Sequence, residues 1–141
     1  MLKGIDPLLG PDLLRILAAM GHGDELVIVD ANFPAEANAR RLVRLDDVRA
    51  TRAAEAILSL LPLDEYVDEP AAVMAVVGDP NAEPEVWAEF RRIAEAAHGG
   101  PVGFERVERF AFYERARRAF AIVATGERRL YGNLILTKGV L

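Results

Sequence analysis

Two side chains that could move protons stand at either end of one short apolar segment. His22 lies between Gly21 and Gly23, and Asp30 follows the apolar run of residues 26–29. The ordinary pKa of histidine, about 6.5, suits proton transfer at neutral pH. A carboxylate at the end of a buried strand must be paired or used, because burying it alone costs free energy. If the protein catalyses a reaction, we expect proton transfer at this segment.

Both side chains also have purely structural interpretations. A histidine at the end of a helix is stabilised by the helix dipole, and an aspartate after a strand often caps the following turn. Spacing alone does not separate the two interpretations for His22, whereas the position of Asp30 at a strand end favours a functional role. The second histidine, His98, precedes two glycines at another predicted helix end. For His98 we prefer the helix-end interpretation.

A second polar group lies in the last third of the chain. Tyr131 and Asn133 flank Gly132, and on a strand they would share one face. Arg109 could donate a fork of hydrogen bonds to a polyol, and the aromatic segment 110–113 that follows could form a wall for a sugar ring. Carbohydrate sites need such donors and acceptors. Taken separately, the same residues could be an exposed strand face and core aromatics beside surface ion pairs.

Alternating helices and strands are predicted to position these residues. Helices are predicted to begin at Pro11 and Pro84 and to cover residues 51–61, with a short helical turn at 112–118. Strands are predicted over residues 26–29, 42–43, 71–77, 107–110, 120–125 and 130–137. This alternation predicts a single α/β domain over residues 1–141, with three α/β/α layers, a mostly parallel or mixed central sheet and an antiparallel hairpin at the C-terminal end. In such sheets ligands bind at the carboxyl ends of strands, where Asp30 is expected.

Composition excludes several classes of protein and site. The 141 residues include no cysteine, two histidines and one serine, and the net charge is -5. The absence of thiols excludes disulfides, and two distant histidines do not predict a metal site. Negative charge argues against a nucleic-acid partner, and neither common glycine-rich nucleotide-binding motif is present. Without a secretion signal or an apolar run of about 20 residues, we expect a cytoplasmic protein with no membrane partner.

Several of these segments together resemble the D-ribose pyranase and L-fucose mutarotase family over nearly the whole chain. The resemblance lies in residues 2–5, 20–25, 30, 32–35, 109–116, 119–123, 125–128, 131–133 and 138–139. Segments 32–35 and 109–116 are more similar to the fucose branch than to the ribose branch.

The resemblance implies a cofactor-free isomerase that interconverts the α and β anomers of a free aldose, with L-fucose the first candidate. It implies that His22 is the proton donor and that Asp30, Arg109, Tyr131 and Asn133 bind the sugar. It also implies a homo-oligomer, in some relatives a decamer, with the site at a subunit contact. Alternatives are a ribose pyranase, a mutarotase for another aldose, and a non-catalytic sugar-binding protein of the same fold.

The chemistry of hemiacetals assigns hypothetical roles to these residues. Ring opening needs a proton given to the ring oxygen and a proton taken from the anomeric hydroxyl. We expect His22 to be the principal proton-transfer group and Asp30 either to orient His22 or to bind a sugar hydroxyl. Tyr131 is one candidate for the second proton-transfer group.

Overall fold

A six-stranded mixed sheet forms the centre of the computed structural model, which describes residues 1–141. The strands are β1 (Glu25–Val29), β2 (Leu42–Leu45), β3 (Ala71–Met74), β4 (Phe104–Val107), β5 (Ala121–Thr125) and β6 (Leu134–Thr137). The helices are α1 (Pro11–Ala19), α2 (Ala35–Asn38), α3 (Ala50–Leu58), α4 (Glu85–His98) and α5 (Arg109–Arg118). The strand order is β2-β5-β1-β6-β3-β4. Only β6 runs antiparallel to its neighbours, β1 and β3.

Helices cover both faces of this sheet. Alternate residues of the central strands point to opposite faces, so Leu26 and Ile28 join the core beneath α1, α3 and α4, while Val27 and Val29 join the core beneath α2 and α5. All four side chains are fully buried. This double burial explains the unbroken apolar sequence of β1, and it confirms the predicted three-layer α/β/α architecture with a mixed sheet.

Helix boundaries follow local chemistry where the chain supplies a clear signal. Pro11 occupies the first position of α1, where its missing N–H costs nothing. At the C-terminal end of α4, Gly99 adopts φ 82°, the left-handed conformation that ends a helix. The predicted beginning of α1 is confirmed, and α4 begins at Glu85, one residue after the predicted Pro84, which is its N-cap.

Two predicted strands are wrong in part. The strand predicted over residues 107–110 is β4, which covers Phe104–Val107. It ends at Val107 because Glu108 caps α5 by accepting a hydrogen bond from the backbone N–H of Ala111 at 3.0 Å. The segment 112–118, predicted as a short turn, belongs to this ten-residue helix. The last strand begins at Leu134 rather than at residue 130, so the preceding Tyr131 lies in a loop.

The predicted C-terminal hairpin is also wrong. Strand β6 does not pair with β5, the strand that precedes it in the chain, but inserts between β1 and β3. The apolar sequence of β6 accounts for this position, since Leu134, Ile135 and Leu136 are buried from both faces. Strand β5 already pairs with β1 and β2, whereas the position between β1 and β3 gives β6 a partner on each side and buries its apolar surface.

No helix of the structure is long and apolar enough to cross a membrane.

We predict that Phe112 is essential for the stability of the core between the sheet and helices α2 and α5. Its ring is fully buried where α5 packs on the sheet, so Phe112→Ala should lower the free energy of unfolding by about 3–5 kcal/mol. On the same helix, Phe110 is 62% exposed, and Phe110→Ala should change the stability by less than about 0.5 kcal/mol. Urea denaturation measures both; equal losses would contradict this account of the core.

Candidate active site

One edge of the sheet gathers most of the polar residues singled out in the sequence. The carboxyl ends of the five parallel strands and the amino end of β6 lie on this edge, and we call it the carboxyl edge. It places Asp30 after β1, Arg109 after β4, and Tyr131 and Asn133 before β6. Ligands of α/β sheets bind at such an edge.

Asp30 and Asn133 are joined across 103 positions of sequence. The side-chain carbonyl oxygen of Asn133 accepts a hydrogen bond from the backbone N–H of Asp30 at 2.9 Å, and both residues are buried. Burial raises the pKa of the Asp30 carboxyl. Hydrogen bonds from the backbone N–H groups of Asn32 and Phe33 and from the Asn133 amide oppose this shift without cancelling it. The result is a carboxyl group fixed in position and easier to protonate than an exposed one.

Tyr131 has the most unusual backbone of the site. It is the one non-glycine residue with positive φ, at 61°. The indole N–H of Trp87 donates to its backbone carbonyl at 3.1 Å, and the backbone N–H of Val77 donates to its hydroxyl at 3.1 Å. The prediction that Tyr131 and Asn133 share a strand face is therefore wrong. Tyr131 lies in the loop before β6 with its hydroxyl at Val77, whereas Asn133 contacts Asp30.

Glu127 is a buried member of the carboxyl edge that sequence reasoning missed. Its side chain is 2% exposed and accepts a hydrogen bond from Arg129 Nε at 2.6 Å. A Cβ atom at Gly132 would lie 2.8 Å from Glu127 Cγ, so this position requires glycine for a close approach. The backbone carbonyl of Glu127 also accepts from the N–H of Ala31 at 2.8 Å, which joins the ends of β1 and β5.

Arg109 is available to a ligand on the same edge. It is the first residue of α5, and it has neither a hydrogen bond nor an ion pair within the chain. Its Nε atom is buried and unpartnered, and its guanidinium carbon lies 4.6 Å from the centre of the Phe110 ring. The Nε atom itself is inaccessible, but the terminal N–H groups of this half-buried guanidinium also have no partner within the chain, so a polyol hydroxyl could accept a hydrogen bond from them.

His22 lies at the opposite edge of the sheet. It belongs to the turn between α1 and β1, and β1 alone spans about 13 Å at 3.3 Å per residue. Asp30 lies at the other end of this strand, so it does not orient His22 within one chain. Within one chain Asn133 therefore contacts Asp30, Tyr131 and Arg109 lie on the same edge of the sheet, and all four are separated from His22.

Asp64 is the carboxylate that contacts His22. Its Oδ1 atom lies 3.1 Å from His22 Nε2, and the two side chains are 5% and 46% exposed respectively. The backbone N–H of Tyr66 donates to Asp64 at 3.0 Å. This bond is the main reason that the pKa of Asp64 lies below its ordinary value, and the His22 side chain lowers it further. Sequence reasoning missed Asp64, because nothing in the acidic segment 63–70 distinguishes it from its neighbours.

The helix-dipole interpretation of His22 receives no support from its contacts. The amine of Lys138 donates to the backbone carbonyls of Leu17, at 3.1 Å, and Met20, at 2.5 Å. Lys138 therefore satisfies the C-terminal end of α1. His22 instead contacts Asp64 and lies with its ring centre 5.5 Å from that of Tyr66. The Asp64 carboxylate thus holds Nε2 of the imidazole and leaves Nδ1 without a partner.

No cluster of three or more histidine or acidic side chains is arranged to hold a metal ion.

The chain is similar to curated mutarotases over almost its whole length. Human fucose mutarotase is 50% identical over 99% of this chain and 94% of its own length. The L-fucose mutarotase of Actinobacillus pleuropneumoniae is 45% identical over 99% of this chain and 97% of its own length. The crystal structure of the fucose mutarotase from Streptococcus pneumoniae in complex with L-fucose superposes with a TM-score of 0.93, at 45% identity over 99% of each chain.

A family-level comparison gives the same result. The sequence model of the RbsD / FucU transport protein family matches residues 3–141. With this match and close relatives of equal length, the chain belongs to the RbsD / FucU family.

Proposed function

We propose that this protein is a cofactor-free sugar mutarotase that exchanges the α and β anomers of a free aldose, with L-fucose as its principal substrate. The observation that carries the proposal is the hydrogen-bonded pair of His22 and buried Asp64 at 3.1 Å, a proton-transfer group with its orienting carboxylate. The polar residues of the carboxyl edge supply sugar-binding groups. The names of relatives at 45–50% identity support L-fucose as the sugar.

His22 performs the first proton transfer in this proposal. Its Nε2 atom faces the Asp64 carboxylate, so in neutral imidazole the proton resides on Nε2 and Nδ1 carries the lone pair. Nδ1 removes the proton of the anomeric hydroxyl, the bond between the anomeric carbon and the ring oxygen breaks, and an open-chain aldehyde forms. Ionised Asp64 stabilises the resulting imidazolium. Return of the proton after closure on the other face of the carbonyl gives the opposite anomer.

Tyr131 is the partner that gives a proton to the ring oxygen. Its hydroxyl oxygen accepts the N–H of Val77 at 3.1 Å, so the hydroxyl hydrogen is free to point toward a ligand. Asp30, Asn133 and Arg109 hold the sugar hydroxyls. Each positioned acid or base contributes roughly 10²- to 10⁴-fold to the rate of ring opening.

A complete site requires two copies of the chain. The pair of His22 and Asp64 and the cluster around Asp30 lie at opposite ends of β1, about 13 Å long, which is further than a single monosaccharide spans. We therefore propose a homo-oligomer in which His22 of one protomer approaches Tyr131 of its partner. Exposed apolar side chains beside His22, Tyr66 (78% exposed) and Val67 (44% exposed), provide contact surface. A cytoplasmic location, expected from the cysteine-free sequence, belongs to the same proposal.

Two other functions within the family give different results in one assay. A ribose pyranase exchanges ring forms of D-ribose faster than anomers of L-fucose. A non-catalytic sugar-binding protein, which the word transport in the family description would suit, binds sugar without accelerating exchange. Saturation-transfer NMR on a panel of free aldoses measures exchange and binding in the same samples.

We predict that His22→Ala abolishes catalysis of anomer exchange. Loss of the proton-transfer group should lower the rate on L-fucose by at least about 100-fold, while thermal stability changes little because the side chain is half exposed. The control is His98→Ala, the other histidine, whose nearest acidic partner is Glu65 at 3.7 Å. A His22→Ala enzyme that keeps the wild-type rate would refute the proposed mechanism.

Co-expression of two inactive variants tests the composite site. In oligomers assembled at random from equal amounts of His22→Ala and Tyr131→Phe chains, about a quarter of the contacts join an intact His22 to an intact Tyr131. Such oligomers should therefore recover about a quarter of the wild-type activity. Mixing Tyr131→Phe with Asp30→Asn is the control, since both changes damage the same half and no intact pair can form. Sites built within one chain would give no recovery in either mixture.

We predict a smaller acid-induced loss of stability in Asp64→Asn. The pKa of Asp64 lies below the ordinary value of 3.8, so its ionised form stabilises the fold above that pH, and this contribution is lost as the pH falls through the lowered pKa. The variant should be less stable than wild type at neutral pH, and the difference should shrink below about pH 4. Urea denaturation against pH measures this, with exposed Glu65→Gln as control. A difference that is constant with pH would contradict the assigned pKa.

The same Asp64→Asn variant should also be a slow enzyme. Removing the negative charge beside His22 destabilises the imidazolium, so the exchange rate should fall by about 10- to 100-fold while sugar affinity changes little. Glu65→Gln should retain the wild-type rate. Equal rates in Asp64→Asn and wild type would limit Asp64 to a structural role.

A further inference from the structure

The conformation of Tyr131 depends on its neighbours. At φ 61° the Cβ atom of an ordinary residue crowds its own backbone, so a tyrosine occupies this region only when surrounding contacts hold it there. Such strained residues concentrate at functional sites, where a fixed geometry is needed. The contacts that hold Tyr131 therefore bear directly on the proposed reaction.

Two hydrogen bonds fix Tyr131 at opposite ends of the residue. The indole N–H of Trp87 donates to the backbone carbonyl at 3.1 Å, and the Val77 backbone N–H donates to the phenolic oxygen at 3.1 Å. The bond from Trp87 acts on the strained peptide, whereas the bond from Val77 orients the hydroxyl. Trp87 is 8% exposed and packs in the core with fully buried Phe90, so its indole has little freedom to move.

Helix α4 holds the same loop through a second contact. Glu89, two residues after Trp87, forms an ion pair with Arg129, which also donates to buried Glu127. Arg129 and Tyr131 are two residues apart in the loop that leads into β6. The helix thus contacts this loop at two alternate positions, once by a charged pair and once by the indole.

We propose that Trp87 is a positioning residue for the proposed mutarotase reaction, acting through Tyr131. It does not touch the sugar; its N–H holds the Tyr131 peptide in the left-handed conformation, so that the phenol points at the ring oxygen. This inference rests on the proposed function. The competing interpretation is that Trp87 only fills the core and that its hydrogen bond merely satisfies a buried indole.

A double-mutant cycle separates these interpretations. Trp87→Phe removes the N–H and keeps an aromatic ring, so kcat for anomer exchange should fall about five- to tenfold, with KM changed less than about twofold. In a Tyr131→Phe background, where the phenol is already absent, the same change should cost less than about twofold. Losses of equal size in both backgrounds, or a folded Trp87→Phe enzyme with the wild-type kcat, would overturn the proposal.

Arg106→Gln is the matched control. The Arg106 guanidinium carbon lies 5.1 Å from the centre of the Trp87 ring, so the substitution alters the surroundings of the indole and leaves its N–H in place. The exchange rate should stay within about twofold of wild type. A loss as large as that of Trp87→Phe would mean that general packing around the indole, and not its hydrogen bond, determines the rate, and would overturn the proposal.

A measurement on the wild-type protein tests the contact without any substitution. The chain has one tryptophan, so its NMR spectrum contains a single indole N–H signal, and hydrogen bonding to Tyr131 predicts slow exchange of that proton with solvent. Rapid exchange would overturn the proposal even if Trp87→Phe did not fold. A wild-type protein inactive on every aldose would overturn the proposed function, whereas an active enzyme with an unaffected Trp87→Phe variant would overturn only the positioning role.

Discussion

The antiparallel insertion of β6 between β1 and β3 is the constraint on which the candidate site depends. Because β6 runs against the other strands, its amino end meets the carboxyl ends of its neighbours. This brings Asn133 to the backbone of Asp30, where it accepts a hydrogen bond at 2.9 Å. A hairpin with β5 would remove β6 from its position between β1 and β3, and with it this pairing. Burial of the apolar strand from both faces thus determines where the polar residues meet.

Two buried aspartates acquire opposite electrostatic character from their surroundings. At Asp30 the loss of hydration is the larger effect and raises the pKa of the carboxyl, although several hydrogen bonds oppose it. At Asp64 the N–H of Tyr66 is the larger effect and lowers the pKa. Asp64 is therefore suited to remain ionised beside a histidine, and Asp30 to hold sugar hydroxyls as acceptor or donor. The same residue type thus serves two purposes, because loss of hydration outweighs the hydrogen bonds at Asp30 but not at Asp64.

The separation of the two polar groups makes function depend on assembly in our proposal. One chain presents a histidine with its carboxylate at one edge of the sheet and a sugar-binding cluster at the other. Strand β1, which separates them, is buried on both faces at the centre of the sheet, so its two ends cannot approach each other within a chain. Association of copies, rather than conformational change, is therefore the physical route to a complete site.

Local sequence patterns were sufficient to predict the layer architecture and to single out most of the residues of the candidate site. Apolar runs identified β1 as a doubly buried strand and β5 as a strand, and Pro11 and Gly99 marked helix ends, because these signals are local. The glycine-flanked His22 and the strand-end Asp30 stood out for the same reason. Family resemblance added the expectation that the polar residues belong to one sugar site.

The partners of these residues could not be predicted from local sequence and follow from the three-dimensional fold. Nothing local distinguishes Asp64 from the acidic residues around it, and its contact with His22 joins positions 42 residues apart. Local sequence predicted a strand at Tyr131, but its backbone is left-handed and lies in a loop. The hydrogen bond from the Trp87 indole and the close contact of Gly132 with Glu127 favour this loop. Local sequence encodes periodicity and turn chemistry, whereas strand order and long-range hydrogen bonds follow from how the whole chain buries its apolar surface.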